Sequence, residues 1–503
     1  MTTLRDLGLE GPAGEVRGLS HDSREVRDGW VFFAYPGTRM DGAEFAPFAL
    51  RQGALAVVCT PGGAETIRRI WAEEGRGDPA ALPLVIVESP REALAKAAAV
   101  WFGAQPAVEV AVTGTNGKTS VASFLRQIWT VLGRRAVNVG TVGVEGAVET
   151  TGSLTTPDPI RLHSLLADLA EAGVTHAALE ASSHGLDQRR VDGLRLTAAG
   201  LTNVTRDHLD YHGTMEAYVE AKLTLFGRVL PKGAAAVLNA DDPAFDQAQA
   251  ICRRRRQRVI SVGRAGALRI LGQDYDGDGQ TLRFGWEGRE REVRLGLIGG
   301  FQAENALIAA GLAIASGEDA DDAFAALERL DGVRGRMEPV ARRSNGGRVF
   351  VDYAHTPEGL ASAIRALRPH IDGRIVLVFG AGGDRDKGKR PLMGRAATAA
   401  DVALVTDDNP RGESPAAIRA EVLAGMEGMD FAAKSEVDDR SLAILEGIDR
   451  LGPGDALLIA GKGHETGQIV GDVTIPFDDA EQARAAVAAL DGYDDGLWDG
   501  EIG

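Results

Sequence analysis

Cysteine is almost missing from this 503-residue chain: Cys59 lies in an apolar run and Cys252 beside an arginine run. Two such residues build neither a disulfide framework nor a thiolate metal site, and the shortage favours a reducing compartment. Long apolar runs are also missing. None approaches the ~20 residues a bilayer-spanning helix needs, and MTTLRD at residues 1–6 has no apolar signal core. Membrane insertion is therefore not expected, and the cytoplasm is the expected location. Positive charge is in deficit, with a formal net charge of −17, which argues against general nucleic-acid binding. An anionic substrate would then have to be met by Arg and Lys placed locally in motifs. RRRR at 253–256 is not such a motif; it is expected to cap or solvate a helix before the strand RVISV at 258–262.

What is present is the composition of a globular protein, 44% apolar and 25% charged, in a chain long enough for two or three domains. The alternation of strands and helices predicts an α/β protein. Its organising stretch is VEVAV at 108–112, a buried-strand pattern, followed by TGTNGKT at 113–119 and an apolar helical repeat to Trp129. A strand, a glycine turn and a helix N-terminus make a phosphate cradle. Gly114, Thr115, Asn116 and Gly117 supply the loop, Lys118 reaches outer phosphates, and Thr119, next to Ser120, offers a hydroxyl to Mg²⁺. Val112 stands where the longer P-loop has its first glycine, so this is the short G-x-x-G-K-T form. A glycine turn before a helix is the plain reading of G-x-x-G; the added Lys-Thr favours nucleotide binding.

Three domains are predicted. Residues 1–106 hold strands near Trp30, Leu55 and Leu84, a helix from Arg91 to Phe102, and a linker through Pro106. The central domain, 107–335, is a P-loop-type, mostly parallel sheet. Its further strands near 136–140, 176–180, 199–203 and 234–239 end in polar clusters: EASSHG at 180–185, NVTRDHLDYH at 203–212 and NADD at 239–242. A hairpin is expected within 283–297 and a helix from about residue 299. Residues 336–503 repeat the alternation as a Rossmann-like domain, whose strands run into DYAHTP at 352–357, GAGGDRDKGK at 380–389, DDNPR at 407–411 and GKGHE at 461–465. Ligands bind outside the carboxyl ends of strands in such sheets, so these loops mark two ligand-binding faces.

Together TGTNGKT, EASSHG, RDHLDYH, EAYVEAK at 216–222, DYAHTP and DNPR at 408–411 resemble the Mur ligases of peptidoglycan synthesis over essentially the whole chain. The match is best to the branch that adds the third peptide residue. The resemblance implies a UDP-substrate domain, an ATP domain and a C-terminal amino-acid domain. It implies ATP-dependent addition of meso-diaminopimelate to UDP-N-acetylmuramoyl-L-alanyl-D-glutamate through an acyl phosphate; a monomer is the expected state. Lysine or ornithine in place of diaminopimelate, and a folylpolyglutamate synthetase-like ligase, are the alternatives. A P-loop kinase or a nucleotide-driven switch would leave the loops of the third domain without a use.

The resemblance also assigns residues. Lys118 and Arg336 suit the phosphate oxygens; Thr119, Glu180 and His208 suit Mg²⁺; Asn305, Asp352 and His355 would position the nucleotide. Lys222, on pattern alone a solvated lysine of a helix over 215–226, becomes a CO₂-derived carbamate that adds an oxygen ligand for the metal. The sugar nucleotide would be held by His21, Ser23, Thr38, Arg39, Met40, Thr155, Thr156, Ser182, Gln188 and Arg190. Arg385, Asp408, Asn409, Pro410, Arg411, Gly461 and Glu465 would hold the amino acid. A guanidinium at Arg411 pairs with the distal carboxylate of diaminopimelate and repels the lone ammonium that ends lysine.

Overall fold

A computed structural model of the chain describes residues 1–37, 40–151 and 155–492. It is mixed α/β with largely parallel sheets, as predicted, and forms two compact units. One comprises Met1–Arg269 with Leu307–Ala323; the other comprises Ile270–Ala306 and the described chain from Phe324 on.

The first unit opens with a four-stranded parallel sheet: Gly18–Ser20, Trp30–Phe33, Ala56–Cys59 and Leu84–Ile86, in chain order. Successive residues bury on opposite faces. Val31 and Phe33 pack with Leu4 and Leu94, whereas Phe32 packs with Val26 and Ile67. The helix Pro90–Phe102 starts where the Ser89 hydroxyl accepts the Glu92 N–H and stops at Gly103, φ 73°. The linker that follows is pinned, because the Gln105 amide donates to the Gly193 carbonyl at 3.1 Å.

A second sheet of this unit runs Arg258–Gly263, Ala235–Asn239, Leu196–Leu201, Val108–Thr113, His176–Glu180 and Ala136–Gly140, all parallel. Gly143–Gly146 and Thr150–Thr151 continue it antiparallel. The strand before the phosphate loop is therefore central. Its neighbours deliver Glu180 and the 202–208 segment to the edge where the loop begins. The arginine run behaves as expected: Arg253 and Arg254 end the helix Phe245–Arg254.

In the second unit Gly279–Trp286 and Arg289–Leu295 form the expected hairpin, starting four residues earlier than predicted. Glu287 and Gly288 both take positive φ, which suits a two-residue turn. The main sheet is ordered Glu338–Arg342, Arg348–Asp352, Ala456–Ala460, Ile375–Phe379, Val402–Val405 and Lys434–Glu436. Only the first strand is antiparallel. Alternate residues bury on its two faces, Phe350, Leu377 and Leu458 on one and Val349, Val376 and Leu457 on the other. All four predicted loops leave its carboxyl edge. Among the described residues no helix is long and apolar enough to cross a membrane.

Candidate functional site

The phosphate loop is built by close approach. At Gly114, φ 152°, a Cβ would lie 1.8 Å from the Thr202 hydroxyl, so only glycine fits. Thr202 donates to the Asn116 carbonyl at 2.6 Å, and Asn203 Oδ1 accepts the Asn116 N–H at 3.0 Å. The Thr115 hydroxyl lies 3.1 Å from both the Thr205 carbonyl and the Tyr218 phenol. Lys118, the first residue of the helix Lys118–Val131, folds its ammonium back onto the carbonyls of Gly114 and Thr115, 2.9 Å each. Thr119 and Ser120 are buried in the same turn.

Lys222 is not a solvated lysine. It lies in the helix Met215–Thr224 with 1% of its surface exposed, its ammonium 4.5 Å from the Tyr218 ring centroid. Nζ donates to the Gly114 carbonyl at 2.7 Å, so Lys118 and Lys222 share one acceptor. Burial pushes the Lys222 pKa well down; the Lys118 charge adds to this and Asp207 opposes it. The helical pattern misleads here because Tyr218, Ala221, Lys222 and Leu223 are all buried, covering more than one stripe.

Glu180 ends its strand with its carboxylate accepting the Thr141 N–H at 3.0 Å and hydroxyl at 3.4 Å. Thr141 also meets the Thr155 hydroxyl at 2.9 Å. Thr156 donates to the Glu180 carbonyl at 2.9 Å and lies 3.1 Å from the Ser182 hydroxyl. Arg190 donates to the Thr156 carbonyl at 2.6 Å and grips the Gln188 side chain, which donates to Tyr211. Thr155, Thr156, Ser182, Gln188 and Arg190 thus form one connected set around Glu180. His21 stacks 6.1 Å from the Tyr35 ring, over which Arg91 sits at 4.2 Å, and Tyr35 and Arg91 are near enough for their charges to act on Arg190. Ser23 is buried and Met40 is exposed. Thr38 and Arg39 lie outside the described residues.

His208 takes a left-handed backbone, φ 52°, and places Nε2 3.4 Å from Asp207. Its ring meets His184 edge-on at 4.8 Å, beside Tyr211 and His212. Among the described residues no three His, Cys, Asp or Glu side chains gather into a metal-binding group. A metal held by Glu180 and His208 would therefore have to draw on Thr119, phosphate oxygens and an oxygen ligand at position 222.

In the second unit, Asp352 ends its strand buried, accepting N–H groups from Met337 at 2.7 Å and Ala354 at 2.9 Å. Burial raises its pKa and the nearby Arg336 opposes that. The Arg336 guanidinium covers the Tyr353 ring at 4.5 Å, and Tyr353 also meets the rings of His355 and His464. Asn305 is buried on Gln302 at 3.0 Å, in the helix Phe301–Ala315.

The remaining residues cluster where the DNPR and GKGHE loops meet. The Asn409 amide donates to Glu465 at 2.9 Å. Arg411, φ 51°, donates from Nη1 to the carbonyls of Gly383 and Asn409. Its backbone is clamped by the hairpin Gly467–Val470 and Val473–Pro476, accepting from Gly471 and donating to Ile469. Pro410 is buried between them. Gly461 has φ 118°, and a Cβ there would lie 2.5 Å from Asp408. Arg385 is exposed in its loop, its charge close enough to act on Lys389 and Tyr353. Sequence reasoning missed Tyr35, Arg91, Thr141, Asn203, Tyr218, Tyr353, Lys389 and Lys462. Asn203, Tyr218, Tyr353, Lys389 and Lys462 lie within the motifs read from the sequence, whereas Tyr35, Arg91 and Thr141 lie outside them.

Known proteins resemble this chain along nearly its whole length. Residues 15–101 match the family model "Mur ligase family, catalytic domain", 112–313 the "Mur ligase middle domain", and 335–463 the "Mur ligase, glutamate ligase domain". The UDP-N-acetylmuramoyl-L-alanyl-D-glutamate--2,6-diaminopimelate ligase of Caulobacter vibrioides is 50% identical over 485 residues, 95% of this chain and 96% of that protein. The enzyme of the same name from Bradyrhizobium diazoefficiens is 50% identical over 482 residues, 94% and 95% of the two chains. A solved structure of a ligase of that name is similar at a TM-score of 0.70 and 32% identity, covering 97% of this chain and 99% of its own.

Proposed function

This chain belongs to the Mur ligase family, and from that premise we propose how its residues carry out the reaction. It is an ATP-dependent ligase that joins 2,6-diaminopimelate to UDP-N-acetylmuramoyl-L-alanyl-D-glutamate in peptidoglycan precursor synthesis. The observation that carries the residue assignment is the convergence of Lys118 and Lys222 on the Gly114 carbonyl at a central strand end. A plain glycine turn would not hold two lysine amines there. We read residues 1–106 as the UDP-substrate domain, 107–335 as the ATP domain and 336–503 as the amino-acid domain, a division supported by the three family-model matches.

A carboxylate does not acylate an amine at neutral pH, because its oxygen is too poor a leaving group. The side-chain carboxylate of D-glutamate attacks the γ-phosphorus of ATP; an O–P bond forms while the bond to ADP breaks, giving an acyl phosphate. The amine nitrogen of the incoming amino acid, as the meso isomer, then attacks the acyl carbon. The C–O bond to phosphate breaks, phosphate departs with the electron pair, and the surplus ammonium proton passes to water. Both steps concentrate negative charge, so fixed cations and N–H donors contribute most. Lys118 and the amides of residues 114–120 hold phosphate oxygens, with Arg336 as a further cation. Asn305, Asp352 and His355 orient the nucleotide. His21, Ser23, Thr155, Thr156, Ser182, Gln188 and Arg190 hold the sugar nucleotide.

Mg²⁺ fits the donor set Thr119, Glu180, His208 and Lys222 only if the Lys222 cation is removed. Burial beside Lys118 favours the neutral amine, the form whose nitrogen adds to CO₂. The new N–C bond and loss of one N–H proton leave a carbamate, an oxygen ligand in place of a repelling charge. The ion, when bound, neutralises charge on the ATP phosphates. Glu180 is kept aimed by Thr141, and the enzyme works as a cytoplasmic monomer. Equal concentrations of diaminopimelate, lysine and ornithine, offered with ATP and the UDP-linked dipeptide, test the specificity by product mass. The product lengthened by diaminopimelate is expected to dominate; a lysine or ornithine product in excess would overturn that specificity.

A further inference from the structure

Lys462 is a fully buried lysine, with none of its side-chain surface exposed, in the loop that follows the strand Ala456–Ala460. A buried ammonium is costly unless each of its three N–H groups finds an acceptor. Here each does. Nζ donates to Asn409 Oδ1 at 2.9 Å, to the Gly467 carbonyl at 2.7 Å and to Glu465 Oε2 at 3.4 Å. The three acceptors come from three segments: the DNPR loop, the GKGHE loop and the hairpin over residues 467–476.

The consequence lies in what these contacts do to their partners. Asn409 Oδ1 also accepts the Ile469 N–H at 2.9 Å. Two unambiguous donors on one atom settle which end of the amide is oxygen, so its NH₂ must face the other way. There it donates to Glu465 Oε2 at 2.9 Å. Glu465 Oε2 thus receives both Asn409 and Lys462, and among the described residues no partner meets its Oε1. Without the lysine, Asn409 Oδ1 would keep only the Ile469 N–H, and the weaker hold would let a turned amide present its oxygen to Glu465 and repel it. Glu465 would also lose the cation that fixes its rotamer.

We propose that Lys462 is a positioning residue for amino-acid selection: it locks the Asn409 amide and the Glu465 carboxylate so that Glu465 Oε1 meets the distal ammonium of the incoming amino acid. This rests on the diaminopimelate-ligase reading. Lys462 touches no reacting atom, and its action runs through the two side chains it orients.

The test is a mutant cycle read by separate KM values. Lys462→Met keeps length and burial but removes all three donors. A hydrogen bond to a charged group is worth about 10-fold or more, so KM for diaminopimelate should rise by at least about that factor. KM for ATP and for the UDP-linked dipeptide should stay unchanged, a split that general destabilisation would not produce. Lys462→Met combined with Asn409→Ala should cost less than the sum of the two single variants, because part of the lysine's effect runs through Asn409. Should Lys462→Met not fold, Lys462→Arg serves: a planar fork cannot meet three diverging acceptors, and the same KM rise is expected. A folded variant with unchanged KM for diaminopimelate, or costs that simply add in the cycle, would overturn the proposal. Wild-type protein that forms no product with all three substrates would instead remove the ligase reading itself.

Discussion

Replacing Lys118 with alanine tests the phosphate loop at its most loaded point. Its ammonium is held 2.9 Å from two loop carbonyls, at the entry of the helix whose N-terminus the phosphate-loop reading gives to the triphosphate. Losing one such cation as charge gathers on the transferred phosphoryl group costs about 3–4 kcal/mol, or roughly 10²–10³ in kcat. The fold should survive. Two bonds to partly solvated carbonyls contribute about 1 kcal/mol each, against a total stability of about 5–15 kcal/mol. A second effect follows from geometry. Lys118 helps hold the Lys222 pKa down, so its removal favours the protonated Lys222 amine and would lower the occupancy of the proposed carbamate. Added bicarbonate should therefore recover a small part of the lost activity. The assay is phosphate release at saturating substrates, with circular dichroism and melting to confirm folding. A folded Lys118→Ala protein turning over near the wild-type rate would refute the loop's role.

Three further outcomes are expected. Lys222→Ala should be almost inactive and partly restored by short-chain carboxylates; ¹³CO₂ NMR showing a bare amine in active enzyme would refute the carbamate. Arg411→Ala should lose about 30-fold or more in kcat/KM for diaminopimelate, the cost of leaving one member of a charge pair unmatched; unchanged kcat/KM would remove Arg411 from the amino-acid site. Glu109, wholly buried, has its pKa pushed up by burial to about 7 from an ordinary 4.5, with the Arg195 N–H opposing. Its favourable, protonated contribution is complete below pH 4.5 and is lost as pH rises through 7. That is about 3 kcal/mol at 1.36 kcal/mol per pH unit. Glu109→Gln should therefore gain on the wild type in melting temperature between pH 5 and pH 8, and a gap that does not widen would contradict the assignment.

Much of this was legible in the sequence where a strand is buried on both faces. His176–Glu180 and Ala136–Gly140 read as short apolar runs ending in polar residues, and both strands fall where predicted. The hairpin after residue 278 began earlier than predicted because Gln280, a buried polar residue, binds the carbonyls of Leu297 and Gly299 and so belongs inside the sheet. The strands Glu338–Arg342 and Lys434–Glu436 went unread because each is short and carries exposed or charged side chains. The hairpin Gly467–Pro476 was missed for a related reason: Val470, Val473 and Ile475 stay exposed, so no core face marks it. At the site, lysines were the hardest to place. Pattern alone puts Lys222 in water and says nothing of Lys462 beyond its place in a polar loop, and only tertiary packing shows both buried on carbonyl oxygens.

The central claim, a ligase that activates a carboxylate with ATP, is tested most directly by phosphate release with each substrate omitted in turn. Full release is expected only with ATP, UDP-N-acetylmuramoyl-L-alanyl-D-glutamate and diaminopimelate together, one phosphate for each product molecule found by mass. Phosphate released at the same rate without the amino acid or without the UDP-linked dipeptide, or with no gain in product mass, would contradict it.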